Sequence, residues 1–134
     1  RDEWLNLLLA TQLEDQLGHR APVIVYDFPA SQSALARVEE DSQGVAVARR
    51  FELYWRGVEL ANGYDELTDA AELRARLMKV NERRVADGRS PLPLPERLLE
   101  AMIDPGLPAS SGCALGFDRL LMLVAGAGSI EEVV

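Results

Sequence analysis

The sequence predicts an α+β fold, an antiparallel β-sheet flanked by helices. Three observations carry that expectation. Alternating apolar and polar residues around Arg56-Gly57 read as a β-hairpin. A short β-branched run at 22–28 reads as a further strand. Stretches of helical period stand before and after these strands rather than between every pair, which favours antiparallel pairing over a βαβ wind. With 134 residues, 48% of them apolar, the chain has enough material for one domain with a real core, residues 1–134.

Taken in order, residues 3–17 form an amphipathic helix: Trp4, Leu7 and Leu8 share a face that Leu9, Leu13 and Leu17 widen, and Gly18 ends it. Residues 22–28 (PVIVYDF) suit a buried strand, and 29–46 are mixed and polar, a connecting loop with room for a helical turn. Over 48–62, Phe51, Leu53 and Trp55 alternate with Glu52 and Tyr54, then Val58 and Leu60 with Glu59 and Ala61. Asp69 opens the next helix, with Glu72 three positions on in a capping-box spacing. Its stripe is Ala70, Leu73, Leu77 and Val80, and it ends near Gly88. Pro91, Pro93 and Pro95 stiffen a linker before a short helix at 96–103. A glycine-containing strand at 112–117 runs into a helix opening at Asp118.

Charge and composition narrow the function. A net charge of −8 argues against this segment as a main grip on nucleic acid, since phosphate binding needs a basic surface. An acidic site suits Mg²⁺ or a cationic substrate, and the same charge also serves solubility. Cys113 is the single cysteine, so no internal disulfide or cysteine-built metal site exists, and its apolar neighbours point to a buried thiol. His19 is the single histidine and is expected at the surface, which makes a Ser-His-Asp triad improbable. No apolar stretch reaches membrane-spanning length, so a cytoplasmic protein without membrane partners is expected.

With Arg56-Gly57 as the turn, Trp55 pairs with Val58, Tyr54 with Glu59 and Glu52 with Ala61. Glu52, Tyr54, Glu59 and Ala61 then share one side, and Phe51, Leu53, Trp55, Val58 and Leu60 form the core side. Glu52 and Glu59 become diagonal neighbours about 7–8 Å apart. Mg²⁺ prefers one or two carboxylates and completes its shell with waters and phosphate oxygens, so the pair suits Mg²⁺–ATP. The same pattern also suits the solvent side of a half-buried hairpin. Beyond it, Asn62-Gly63-Tyr64-Asp65-Glu66-Leu67 breaks the alternation, and Gly63 permits a sharp bend. Glu66 can meet a substrate ammonium and Asn62 an α-amino or carboxylate group. Equally, the segment can be a polar turn before a helix.

The segment from Ser111 to Leu123 is the sharpest signal. Small residues at Gly112, Ala114 and Gly116 leave one strand face without bulk, so a flat ligand can approach it. Asp118 can cap the helix, and Arg119 in the first turn opposes the helix dipole unless an anion such as a triphosphate offsets it. Tight strand–helix packing with Arg119 bonded to a nearby carboxylate explains the same residues.

The string GCALGFDRLLML, residues 112–123, resembles motif 3 of class II aminoacyl-tRNA synthetases. FELYWRGVELANGYDELTDA is similar to the matching stretch of lysyl-tRNA synthetases. YDFPASQSALA, ELANGYDELTDA and SSGCALG look closer still to the elongation factor P–(R)-β-lysine ligases, synthetase paralogues without an anticodon-binding domain. The resemblance covers roughly residues 3–134.

The resemblance implies ATP-dependent activation of lysine or (R)-β-lysine as an aminoacyl-adenylate, and transfer to a lysine of elongation factor P. Arg119 would bind the ATP γ-phosphate as the catalytic arginine, Gly116 would belong to the ATP site, and Glu52 and Glu59 would hold Mg²⁺ and ATP. Asn62, Tyr64 and Glu66 would line the lysine pocket, Glu66 facing the side-chain ammonium. Because Asn62 has the opposite strand parity from the glutamates, the strand must end or bulge near Ala61–Gly63 for it to join them. Ala114, where lysyl-tRNA synthetases carry glycine, would favour β-lysine by about 1–3 kcal/mol, the worth of one pocket methyl. The family's motifs 1 and 2 do not occur in these residues. The chain is therefore expected to be a C-terminal part of a catalytic domain, homodimeric when whole and inactive alone. A lysyl-tRNA synthetase acting on tRNA, and a non-catalytic synthetase-like subunit, are the rival readings.

Overall fold

The computed structural model describes residues 2–134. In chain order the elements are α1 (Asp2–Leu8), β1 (Val23–Pro29), β2 (Val38–Glu40), β3 (Ala46–Trp55), β4 (Val58–Asp65), α2 (Ala70–Ala86), α3 (Glu96–Ala101), β5 (Ser111–Leu115) and α4 (Phe117–Ala125). They fall into two units, one made of the residues up to Asp65 together with Ser111–Val134, the other of Glu66–Ser110. The expected α+β class with an antiparallel sheet holds. Among the described residues no helix is long and apolar enough to cross a membrane.

The first unit is built on a five-stranded sheet ordered β1-β3-β4-β5, with β2 pairing the start of β3. All its pairings are antiparallel. β3 is the spine, because its ten residues are long enough to take β1 along one edge and both β2 and β4 along the other. The predicted loop at 29–46 therefore contains a strand, β2, in which Glu39 faces Val47. The predicted helix at 3–17 is real but not uniform. α1 passes into a wider turn at Leu9–Leu13 and a tight one at Glu14–Gln16. Gly18 ends it with φ at +76°, where a Cβ would come within 2.7 Å of the Trp55 Cα. That close approach lets Arg56 and Gly57 donate backbone hydrogen bonds to Gly18 and Leu17.

The hairpin turns at Arg56-Gly57 as expected, with Trp55 facing Val58 and Tyr54 facing Glu59. From there the register departs from the expectation. Leu53 pairs with Ala61, so Leu60 is an extra residue and the ladder bulges. Glu52 consequently faces Asn62, not Ala61. The core side also departs from the expectation: of the residues expected there, Leu60 is buried, at 5% exposed, but the others are not. Tyr54 is 1% exposed and Glu52 9%, whereas Phe51, Leu53 and Trp55 are only half-buried. The reason lies in what covers the sheet. Phe28, Ala36 and Ala48 form a core with Leu9, Val25 and Tyr64 packed against it. Val25 pairs with Glu52 and Phe28 with Ala48, which puts that core on the glutamate face. Polar side chains can occupy a packed face when they satisfy one another.

Other expectations shift for the same kind of reason. β1 was expected to be a buried strand, but Ile24 and Tyr26 are exposed because only its alternate residues meet this core. Trp4, Leu7, Leu8 and Leu13 are likewise exposed. Cys113 is exposed rather than buried, since β5 is the terminal strand of the sheet. His19 lies at the surface as expected.

In the second unit, Asp69 caps α2, accepting from the backbone N–H groups of Ala71 at 2.8 Å and Glu72 at 3.0 Å. Leu73 is buried with Leu67, Leu99 and Met102, and Ala70, Leu77 and Leu94 pack against them. Val80 stands at the exposed end of the predicted stripe. The proline linker is tied to α2 by Asn81, whose amide brackets the Leu92 backbone with two 2.8 Å bonds. The predicted helix 96–103 is α3 plus an irregular turn at Met102–Gly106, because Pro105 and the extended Asp104 cannot continue it.

Candidate active site

The bulge at Leu60 assembles the site. Glu59 and Asn62 are three positions apart yet face the same way, because the extra residue resets the alternation. β5 continues the row: Ala114 faces Asn62, and Gly112 faces Tyr64. One line across three strands therefore reads Glu52, Asn62, Ala114, and the neighbouring line reads Arg50, Tyr64, Gly112. Five of the predicted site residues (Glu52, Glu59, Asn62, Tyr64 and Ala114) share one sheet face, and the parity problem posed by Asn62 disappears.

Gly63 does not bend the chain, as the sequence led us to expect. It lies inside β4, opposite Phe51 on one side and Cys113 on the other. A Cβ there would meet the Phe51 ring at 2.4 Å and the Gly112 carbonyl oxygen at 2.6 Å. Glycine is required so that the Phe51 ring can lie over the strand and β5 can approach.

Glu52 is fixed from two directions. Arg50 forms an ion pair with Oε1, and the Tyr54 hydroxyl donates to Oε2 at 2.7 Å. Arg50 is itself held by the Gln32 carbonyl at 3.1 Å, and its guanidinium lies 4.2 Å from the Phe28 ring centroid. Its Nε is buried without a partner among the described residues. Burial raises the Tyr54 pKa above the usual phenol range, and its bond to Glu52 raises it further. Sequence reasoning passed over Arg50 and Tyr54 as functional residues. The legible signal was an arginine, a glutamate and a tyrosine at alternate positions of one strand.

Glu59 is held more loosely. The Asn62 amide donates to its Oε1 at 3.3 Å. Arg119 Nη1 donates to its backbone carbonyl at 2.9 Å and approaches Oε2 at 3.4 Å. Both Arg119 and Glu59 are solvent-accessible, with side chains 49% and 31% exposed, and such a pair is worth only about 0.2–1 kcal/mol. Arg119 sits in the first turn of α4 as expected. The helix cap, however, is Gly116 and not Asp118: α4 begins at Phe117, two residues before an Asp118 cap would allow, and has no side-chain cap. The Gly116 N–H donates to the Leu60 carbonyl at 2.8 Å, so the bulge also anchors the start of α4. A Cβ at Gly116 would come within 3.3 Å of the Arg119 side chain.

Glu66 begins the second unit, half-buried, with its backbone N–H bonded to the Ser110 carbonyl at 3.0 Å. Among the described residues no group of three or more metal-ligating side chains occurs. Mg²⁺ needs only one or two carboxylates beside phosphate and water. Each Glu52 oxygen accepts one bond here and keeps a second lone pair, and Glu59 is partly open, so this donor set fits a nucleotide-bound Mg²⁺.

A family model described as tRNA synthetases class II (D, K and N) matches residues 7–134. An elongation factor P–(R)-beta-lysine ligase from Edwardsiella ictaluri is 50% identical over 134 residues, which is 100% of this chain and 40% of that protein. Proteins of the same name from Proteus mirabilis and Salmonella gallinarum are 47% and 46% identical with the same coverage. The chain thus spans 40% of the length of these relatives.

Proposed function

Because the chain belongs to the class II tRNA synthetases of the D, K and N family, we propose that it serves the ATP-dependent activation of (R)-β-lysine and its transfer to elongation factor P. In the first step the amino acid's carboxylate oxygen attacks the α-phosphorus of ATP, and pyrophosphate leaves. In the second, the ε-amino group of an acceptor lysine attacks the adenylate carbonyl, AMP leaves and the amine gives up a proton. The site's work is positioning and charge neutralisation, with no covalent side-chain nucleophile.

The observation that carries this reading is the junction of Glu59 with Arg119 and with Asn62, the middle member of the Glu52–Asn62–Ala114 row. Arg119 is restrained but uncommitted. Exchanging a weak surface pair for phosphate oxygens gains charge-assisted bonds worth about 1.5–3 kcal/mol each. In this reading Arg119 takes the γ-phosphate and Gly116 keeps its approach clear. Glu52 and Glu59 hold Mg²⁺, which when bound neutralises phosphate charge. Asn62 and Tyr64 orient the amino acid, and Ala114 limits how close its backbone can sit. We place the protein in the cytoplasm as a homodimer when whole.

The relatives' names favour β-lysine and elongation factor P over α-lysine and tRNA. The test is amino-acid-dependent ATP–pyrophosphate exchange by the full-length protein, comparing the two isomers. Exchange strongly favouring (R)-β-lysine is expected. Preference for α-lysine would move the assignment to a lysyl-tRNA synthetase, and no exchange with either would overturn the enzymatic reading.

A further inference from the structure

We propose that Arg50 and Tyr54 are positioning residues that orient the Glu52 carboxylate and thereby set the site's preference for metal-bound over metal-free ATP. The proposal rests on the reading of Glu52 as a metal-holding carboxylate. Its geometric basis is independent of that reading. Among the described residues Glu52 is the one charged residue in the buried class, and each of its oxygens has one donor, Arg50 on Oε1 and Tyr54 on Oε2. Two donors on opposite oxygens fix the plane of a carboxylate and leave its other lone pairs pointing in set directions. Arg50 cannot easily drift, because Gln32 and the Phe28 ring hold its far side. One nitrogen of the guanidinium meets Gln32 and another meets Glu52, so the two contacts together set its plane. Glu59 has no comparable support: its Asn62 bond is long and its Arg119 contact exposed. The site therefore pairs one rigid carboxylate with one adaptable carboxylate. A ligand that demands near-octahedral geometry depends most on the rigid one.

The experiment uses the full-length protein with Tyr54→Phe and Arg50→Lys, neither of which changes the net charge. A loss of cation affinity in either then reports orientation and not a weaker field. Calorimetry measures the dissociation constants of ATP alone and of Mn²⁺–ATP, and Mn²⁺ paramagnetic resonance reports the metal directly. Tyr54→Phe is expected to weaken Mn²⁺–ATP about tenfold, the loss of one hydrogen bond to a charged group, while ATP alone binds as in the unmodified protein. The Mg²⁺ activation constant should rise by the same factor, with kcat restored at saturating Mg²⁺. If Tyr54→Phe fails to fold, Arg50→Lys decides the matter, because it keeps the charge and stem but loses the fork that spans Gln32 and Glu52. Unchanged Mn²⁺–ATP affinity in both variants, with Glu52→Gln weakening it, would overturn the inference and leave the function intact. Unchanged affinity in Glu52→Gln would overturn both.

Discussion

Asn62 stands directly across from Glu52 on the same sheet face, ten positions along the chain, because Leu60 bulges out of the ladder between them. Without the bulge, Asn62 would point to the other face and its amide could not reach Glu59. The bulge carbonyl also receives the Gly116 N–H, so the same irregular residue sets both the amide and the start of the Arg119 helix. Loss of the Asn62 amide should therefore act on substrate affinity. Asn62→Ala is expected to raise the amino-acid KM by about tenfold, as for a bond to a charged group. Steady-state pyrophosphate exchange at varied amino acid checks it, and a pure kcat effect would contradict it.

A methyl at position 63 tests the close packing of β3, β4 and β5. The Phe51 ring can turn aside, but the Gly112 carbonyl belongs to the backbone of β5. Gly63→Ala should cost about 1–3 kcal/mol of stability, as overpacking does. Urea unfolding followed by circular dichroism would register the loss, and wild-type stability would show that β5 adjusts freely.

What the sequence made legible here was local. The hairpin turn, the Asp69 cap and the Gly112–Ala114 strand follow from residues close to one another in the chain, through turn chemistry, capping geometry and a period of two. The Leu60 bulge was not legible as a register shift, since one added residue changes the pairing without changing composition. Reliance on alternation then inverted the buried face of β3. Tyr54 and Glu52 read as solvent-facing, yet they are buried, because polar groups that bond one another can occupy a packed face. The parity argument nevertheless located the fault: if Asn62 was to join the glutamates, the strand had to bulge close to where it does.

Arg119 should separate catalysis from stability. Its pair with Glu59 is exposed, so Arg119→Ala ought to lower stability by no more than about 1 kcal/mol. Loss of a group that meets developing phosphate charge should lower kcat/KM for ATP by about 10²–10³-fold. Arg119→Lys should recover little of this, because an ammonium cannot span two phosphate oxygens in the guanidinium manner. Stopped-flow adenylate formation beside thermal melting distinguishes the two effects. A large melting change with modest kinetic loss would make Arg119 structural.

Alkaline pH gives a test of Tyr54 that does not depend on function. Its folded pKa is raised, chiefly by burial and then by the hydrogen bond to Glu52 and that residue's charge. A phenol whose folded pKa exceeds its unfolded value contributes stability that is complete below the unfolded pKa of about 10. Above that pH the unfolded chain loses the proton first, so the folded state binds more protons and stability falls as pH rises. Tyr54→Phe removes this term, and its stability should decline less steeply above pH of about 10 than that of the unmodified chain. Denaturant unfolding across the alkaline range, with phenolate absorbance followed in parallel, measures both quantities. Parallel pH slopes for the two proteins would mean that Tyr54 ionises in the folded state as readily as in the unfolded one.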